Sequence, residues 1–479
     1  MQKLILLLLP LLFTTNLSGQ EIIETENQGT SLAFILQAAL EIPIAYNVDN
    51  IKVTYTTTDA FGQPDTATGL LCLPQNIDLA FPLAIYNHGT VGARDEVPSV
   101  PGIQERFIVQ ALAGSGFITM APDYLGLGDS DGIHPYVHAA TEASAGRDMA
   151  IAVKAWLEQQ DNITANDQLF VTGYSQGGHA AAALHRDIAT NPGDDSLTVT
   201  AATYLSGPYS ISEVMLSTLF SEDLITLPGY IAYTYVSYNF VYGLYDDLSQ
   251  VFVEPYLTPI LSFANQESSL SEFNIELETL LVDNQAMLGA IFRDSILQIL
   301  EARDESSEII QALIENDTYD WAPEAPTLLY YCTEDEQVPF RNAILADSVM
   351  RSNGSTSVLL EAGGALTHRD CVFPAVERTI EFFKTYANVT PTSLGVVTNA
   401  PEVNVAPNPV AAGSTITVQG LTSGPNPFIL YDFSGRQILN GATRADGSIT
   451  LPRSVPKGPA ILRIGQPGGT SVVRRLIVK

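Results

Sequence analysis

One serine in this sequence has neighbours suited to covalent chemistry. Gly173-Tyr174-Ser175-Gln176-Gly177 follows the apolar run Leu169-Phe170-Val171-Thr172 and precedes Ala180 to Ile188, whose apolar residues recur at helical spacing. At a sharp strand-to-helix turn there is no room for side chains beside the central residue, which is why glycines flank it. The same turn pushes the serine hydroxyl out over the edge of the sheet. The pentapeptide alone arises readily from composition, so it is the strand before and the helix after that single out Ser175 as a nucleophile.

A serine hydroxyl attacks poorly unless a base takes its proton. Six histidines are available: His88, His134, His138, His179, His185 and His368. Where the chain order is Ser, Asp or Glu, His, the acid follows a late strand and the base follows the last one. His368, in Gly364-Ala365-Leu366-Thr367-His368, meets that condition. His179 and His185 lie on the helix that begins at the nucleophile and read as structural. The acid is expected in Cys332-Thr333-Glu334-Asp335-Glu336-Gln337-Val338-Pro339, where three carboxylates compete. Its task is to hold the imidazole tautomer and stabilise the imidazolium. Attack on a carbonyl also needs two backbone N–H groups aimed at the developing oxyanion. One is expected from Gln176. The other is expected from Tyr86-Asn87-His88-Gly89-Thr90, with Thr90 preferred to Gly89 and His88 read as a structural prop.

The elements that must position these residues follow from periodicity. Short apolar strands alternate with amphipathic stretches from about Ile51, the pattern of a mainly parallel sheet covered by helices. Eight strands are expected: Ile51–Thr58, Thr66–Leu73, Pro82–His88, Gly116–Pro122, Gln168–Tyr174, Val199–Ser206, Pro326–Thr333 and Thr356–Gly363. Ile103–Leu112, Met149–Leu157, Ala180–Ile188 and Val376–Tyr386 read as helices between or after them. Residues 20–206 and 323–387 form the core. Between them, 207–322 is far longer than a crossover needs and reads as a helical cap, with helices over Leu270–Val282, Ala286–Ala302 and Glu305–Glu315. It carries Tyr230, Tyr233, Tyr235, Tyr238, Tyr242 and Tyr245, which either face a ligand at the carboxyl edge of the sheet or pack the cap's own core.

Residues 388–401 shift to Thr, Val, Asn and Pro and read as a linker. After it, Ile416–Val418, Phe428–Phe433, Gly447–Leu451, Ala460–Ile464 and Val472–Val478 are short strands. Turn signals fall at Ser434-Gly435, Asp446-Gly447 and Gly468-Gly469, giving a small C-terminal β-sandwich over 402–479.

The oxyanion loop with Pro98-Ser99 after it, Ala121-Pro122-Asp123-Tyr124-Leu125-Gly126-Leu127-Gly128, the Gly173–Gly177 elbow and the helical insertion together resemble the secretory lipase branch of the α/β-hydrolases. The resemblance covers roughly residues 30–386. It implies an α/β-hydrolase fold with a mostly parallel eight-stranded sheet and hydrolysis of carboxylic esters, with no cofactor. The substrate would be a small-molecule or lipid ester. Asp335-Glu336-Gln337-Val338-Pro339 resembles the D-x-x-V-P acid loop of that group, which selects Asp335 over Glu334 and Glu336. Tyr124 either borders the acyl site or packs. The C-terminal module, through Val405-Ala406-Pro407-Asn408-Pro409, Leu430-Tyr431-Asp432-Phe433-Ser434-Gly435-Arg436 and Arg474-Arg475-Leu476-Ile477-Val478-Lys479, resembles the type A sorting domain of the type IX secretion system. That implies the secretion machinery as a partner and a secreted or cell-surface protein.

Composition narrows the alternatives. A net charge of -31, from 22 basic and 53 acidic residues, repels phosphates and argues against a nucleic-acid partner. The last 80 residues hold eight of the basic and three of the acidic side chains, which marks a separate unit. Residues 1–19, with Lys3 before the apolar run Leu4 to Phe13, read as a signal peptide. No later run is long enough to span a bilayer. Asp129-Ser130-Asp131-Gly132 begins like a calcium loop but lacks the later ligands, so no metal is expected. Cys332 and Cys371 leave the same sheet edge and are expected to pair, with Cys72 a buried thiol. A serine peptidase with the same triad, or a surface binding protein on a dead scaffold, are the competing readings.

Overall fold

The computed structural model describes residues 20–40, 42–193, 195–221, 227–392, 403–421, 424–432, 436–465 and 471–479. The expected signal peptide at 1–19, the Ser434-Gly435 and Gly468-Gly469 turns and most of the expected linker lie outside the described residues.

The catalytic candidates hang on one sheet. Its strands are β1 (Ile22–Ser31), β2 (Val48–Thr58), β3 (Pro64–Pro74), β4 (Leu79–Asn87), β5 (Ile118–Pro122), β6 (Thr164–Tyr174), β7 (Val199–Leu205), β8 (Thr327–Tyr331), β9 (Val358–Ala362) and β10 (Thr390–Pro391). The order is β1-β2-β3-β5-β4-β6-β7-β8-β9, with β10 paired to the start of β4. From β5 to β9 every neighbour is parallel, whereas β1, β2, β3 and β5 pair antiparallel. The fold is thus mixed α/β with a mostly parallel centre. Strand β4 lies between β5 and β6, so the chain leaves it to one side and then returns on the other. At such a switch point the loops diverge and open a crevice at the carboxyl ends of the strands.

Helices α1 (Ala33–Leu40), α2 (Glu105–Gly114), α3 (Ala139–Leu157) and α4 (Gln176–Thr190) cover the sheet before the insertion. The insertion carries α5 (Gly229–Tyr242), α6 (Leu257–Ala264), α7 (Leu270–Asp283), α8 (Asp294–Ala302) and α9 (Glu308–Glu315), and α10 (Arg341–Ser352) and α11 (Val372–Lys384) complete the set. Two apolar cores pack the two faces of the sheet, with Phe81, Ile85, Met120 and Val171 in one and Tyr86, Phe170, Leu328 and Phe383 in the other. The insertion has a core of its own, including Tyr233, Tyr235 and Tyr238. Tyrosines here therefore do pack the cap.

Among the described residues the sheet has ten strands, not eight. Strand β1 was missed because it is an edge strand and mostly exposed, so it carries no alternation of apolar and polar residues. Strand β10 falls in the stretch read as linker. There Asn388 donates to Gln168 Oε1 (2.6 Å) and Thr392 to the Asp78 carbonyl (2.8 Å), so the chain stays docked through residue 392. The helix expected over Ala286–Ala302 is also broken. Phe292 is extended and bridges Phe252, and Arg293 N donates to the Val251 carbonyl (2.8 Å). A tertiary backbone pairing there overrides helical propensity.

After residue 402 come β11 (Asn404–Ala406), β12 (Thr415–Gln419), β13 (Pro427–Asp432), β14 (Gln437–Ala442), β15 (Ser448–Thr450), β16 (Gly458–Gly465) and β17 (Ser471–Val478). They form a three-stranded sheet, β11-β12-β15, and a four-stranded sheet, β14-β13-β16-β17. Ile416, Val418 and Ile449 of the first share one core with Leu430, Leu462 and Leu476 of the second. This self-contained core predicts that a chain ending at residue 392 still melts cooperatively. Its midpoint should lie within about 3 °C of the full chain, as for a change near 1 kcal/mol in a domain this large; differential scanning calorimetry checks it.

Candidate active site

Strand β6 ends at Tyr174 and α4 begins at Gln176, so Ser175 alone makes the turn. It does so with φ 59° and ψ -123°, a backbone conformation that L residues avoid and that costs about 1–3 kcal/mol. The surroundings leave it no alternative. A Cβ on Gly173 would lie 2.0 Å from the Gly177 carbonyl oxygen, and one on Gly177 would lie 1.9 Å from that of Asn87. Ser175 N donates to Leu205 O (2.9 Å) and Gly178 N to Ser175 O (2.8 Å), which ties the turn to β7 and to the first turn of α4.

Asp335 follows β8 and His368 follows β9, and because these strands are neighbours the two loops meet. His368 Nδ1 lies 2.7 Å from Asp335 Oδ2. The carboxylate accepts, so the ring proton sits on Nδ1 and leaves the Nε2 lone pair for a substrate-side proton. The Asp335 side chain is 1% exposed, so water does not compete for it. Its other oxygen accepts from Val338 N (2.8 Å) and Gln337 N (3.1 Å). Glu336, the rejected neighbour, accepts instead from the His368 backbone N (3.0 Å) and so holds the loop rather than the ring. Tyr174 packs against the imidazole and donates to the His368 carbonyl (2.5 Å), which ties His368 to the residue before Ser175. Cys332 and Cys371 are bonded, with α-carbons 6.1 Å apart, and the acid and base loops are thereby stapled together. Cys72 is buried and free, and burial pushes its thiol up to about 12.

The oxyanion candidates flank Ser175. Gln176 follows it directly, and the loop of Gly89 and Thr90 abuts it: a Cβ on Gly89 would lie 3.7 Å from Ser175 Cβ. His88 is fully buried, with Nδ1 2.7 Å from the Gly89 carbonyl and Nε2 3.3 Å from that of Asp123, so it props this loop against the loop after β5. Tyr124 is buried beneath, lies tilted against the His88 ring with centroids 4.4 Å apart and donates to the His88 carbonyl (3.1 Å). It packs. Asp123 accepts from Ser99 N (3.1 Å) and Thr68 Oγ1 (2.7 Å), and burial raises its pKa. The resemblance-bearing Pro98-Ser99 and Ala121 to Gly128 stretches are thus one brace under the oxyanion loop. Asp129 pairs with Lys52 (2.5 Å). Among the described residues no cluster of three or more His, Cys, Asp or Glu is arranged to hold a metal.

The remaining histidines are held inside. Burial lowers His185 and His134 to about 3 and His138 to about 4. His179 is paired with Glu142 (2.6 Å), and Gln176 Nε2 donates to the same carboxylate (2.9 Å). Sequence reasoning missed Glu142. A single carboxylate in the small-residue run Ala139-Ala140-Thr141-Glu142-Ala143-Ser144-Ala145-Gly146 was the available signal, since such a run packs closely and leaves no solvent for it.

Beside Ser175 lies an apolar cleft. Ser175, Gln176, Gln337 and Val338 form its floor, and Met215, Leu219, Tyr230, Ile231, Tyr235 and Leu313 of the insertion contribute to its walls. The tyrosines therefore divide: Tyr233 and Tyr238 pack, Tyr230 faces the cleft, and Tyr235 does both.

No protein-family model and no curated protein matches this chain by sequence. Solved structures do match. A protein of Legionella pneumophila assigned as a hydrolase superposes with TM-score 0.69 and 26% identity, covering 76% of this chain and 98% of its own. The rice cell wall degrading esterase LipA of Xanthomonas oryzae superposes with TM-score 0.65 and 25% identity, over 76% and 97%. Candida antarctica lipase A, at 13% identity and TM-score 0.52 over 73% and 77%, shares the fold. The first two likenesses support an α/β-hydrolase of the esterase kind, and the third bears on the fold alone.

Two predictions follow from the site. Asp335→Asn should lower ester turnover by about 10²-fold or more, and Glu334→Gln should leave it within about threefold; steady-state kinetics on both variants tests the assignment. Replacing Cys332 and Cys371 together by alanine should cost about 3–4 kcal/mol of stability, the chain-entropy value for a loop of this length. Urea unfolding measures it, and non-reducing peptide maps should show one cross-linked pair and an unmodified Cys72.

Proposed function

We propose that this chain is a serine carboxylic-ester hydrolase that works through Ser175, His368 and Asp335 and an acyl-enzyme intermediate. The observation that carries the reading is the desolvated Asp335–His368 contact beside a strained Ser175 that opens on an apolar cleft. His368 Nε2 takes the hydroxyl proton as Ser175 Oγ attacks the ester carbonyl. The oxyanion forms against the amides of Thr90 and Gln176, each worth about 2.7–4 kcal/mol to the transition state. Collapse expels the alcohol, protonated by His368, and water repeats the sequence on the acyl-enzyme. Asp335 keeps Nδ1 protonated throughout.

The apolar walls of the cleft favour a small-molecule or lipid ester whose acyl or aryl group sits under the insertion, and the esterase and lipase likenesses agree with that class. In this reading residues 207–322 are the cap, 1–19 a signal peptide, and 402–479 a type IX sorting module that the secretion machinery recognises. The protein is then secreted or held at the cell surface.

Ser175→Ala should retain the wild-type melting temperature and lose p-nitrophenyl ester hydrolysis by about 10⁴-fold or more. A fluorophosphonate probe should label the wild type at Ser175, and in parallel assays aminoacyl or prolyl amides should be poorer substrates than p-nitrophenyl esters; activity above a tenth of wild type in the variant would contradict the assignment. Removing 403–479 should abolish export in the native host while the purified truncated protein stays active. Continued secretion of that form would count against the sorting role.

A further inference from the structure

The side chain of Gln176 is not free to accompany its backbone. It is buried, and its two amide hydrogens go to Glu142 Oε1 (2.9 Å) and His134 Nε2 (2.9 Å). His134 Nδ1 faces the Leu125 carbonyl (2.9 Å), a pure acceptor, so the ring proton sits on Nδ1 and Nε2 offers its lone pair. The other oxygen of Glu142 faces His179 Nδ1 (2.6 Å), and His179 Nε2 donates to the Asn316 carbonyl (2.7 Å). Each of these polar atoms is matched, so the carboxylate can stay inside the protein. Thr90 is gripped in the same way, by Tyr136 Oη at 2.9 Å from its Oγ1.

His134, Tyr136 and Glu142 belong to one stretch of nine residues. That stretch is fastened to the insertion. Tyr136 N donates to Ser237 Oγ (3.1 Å), which in turn donates to the His134 carbonyl (3.1 Å). Tyr238 Oη donates to the Val137 carbonyl (3.0 Å), and Ala139 N to Asn316 Oδ1 (2.7 Å). The Tyr136 ring stacks on Tyr233 at 4.4 Å with planes 3° apart.

We propose that residues 134–142 are a strut through which the insertion fixes the Thr90 and Gln176 amides, so that Glu142, His134 and Tyr136, together with Ser237 and Tyr238, are positioning residues for the oxyanion hole. The proposal rests on the reading of Ser175 as nucleophile and of these two amides as its oxyanion donors. It gives the insertion a task besides covering substrate. Removing a hydroxyl from α5 then changes how well the transition state is held, although neither Ser237 nor Tyr238 is among the residues that line the cleft.

The test uses the full chain and p-nitrophenyl butyrate. The double variant Ser237→Ala/Tyr238→Phe removes two buried hydroxyls and no apolar volume. It should lower kcat by about tenfold or more with KM within about threefold, the signature of an interaction made only in the transition state. Its rate of fluorophosphonate labelling should fall in parallel, with labelling still complete at Ser175. Gln176→Met, which keeps the backbone amide and loses the clamp, should show the same split and decides the matter if the double variant fails to fold. Unchanged kcat in folded variants, or a raised KM with kcat intact, would overturn the strut. A wild type that neither hydrolyses the ester nor takes the label would instead remove the site reading beneath it, and the proposal with it.

Discussion

Everything in this molecule that could do chemistry depends on how closely three backbone segments approach one another at the end of β6. The Gly173, Gly177 and Asn87 backbones meet at distances that no side chain allows, and the chain passes between them with Ser175 at a strained positive φ. The strain is held because β4, β6 and β7 are neighbours in a parallel ladder and their termini are tied: Asn87 pairs with Gly173, Gly173 with Tyr204, and Ser175 N with Leu205 O. A parallel sheet buried on both faces supplies the rigidity for this, since no strand in the centre can slip without moving apolar residues out of both cores. The position of the Ser175 hydroxyl is thus a product of sheet packing.

Around this fixed point the remaining groups are set by separate devices. Asp335 and His368 come from loops of adjacent strands, joined by the disulfide and by the contacts of Glu336 and Tyr174 with the backbone of His368. Asp335 is withdrawn from water and accepts from two backbone amides, so its carboxyl is held in one place against His368 Nδ1. The oxyanion loop is braced from below by His88, Tyr124 and Asp123. These buried polar groups are hydrogen-bonded where they stand, which is what makes the assembly stiff instead of merely costly.

The insertion is made differently. Its core is built from aromatic and aliphatic side chains on short helices, and one face of it forms the walls of the cleft. The same α5 helix presents Tyr233, Ser237 and Tyr238 to the segment after β5. The cleft wall and the contacts to residues 134–138 thus draw on one element, which gives a physical reason for a tyrosine-rich helix at this place: rings fill the core, and hydroxyls reach polar partners.

The sequence by itself determined the alternation of strands and helices, the strand-to-helix turn around Ser175 and the candidates His368, Asp335, Thr90 and Gln176, because these are local patterns: a period, a glycine spacing, a position after a strand. It also placed Cys332 and Cys371 close enough to bond, since two neighbouring strand ends are a consequence of element order. What it could not carry was any feature whose signal is spread over distant residues. The edge strand β1 has no buried face and so no alternation. The break at Phe292 exists only because Phe252 pairs with it across the insertion. By period and spacing alone Glu334, Asp335 and Glu336 are equivalent; the likeness to a D-x-x-V-P acid loop singles out Asp335, and the approach of the β9 loop gives Asp335 the ring and Glu336 the backbone. Glu142 was silent for the same reason: its partners Gln176 and His179 are 34 and 37 residues away, and a buried charge becomes meaningful only when packing has removed the water that would otherwise have solvated it.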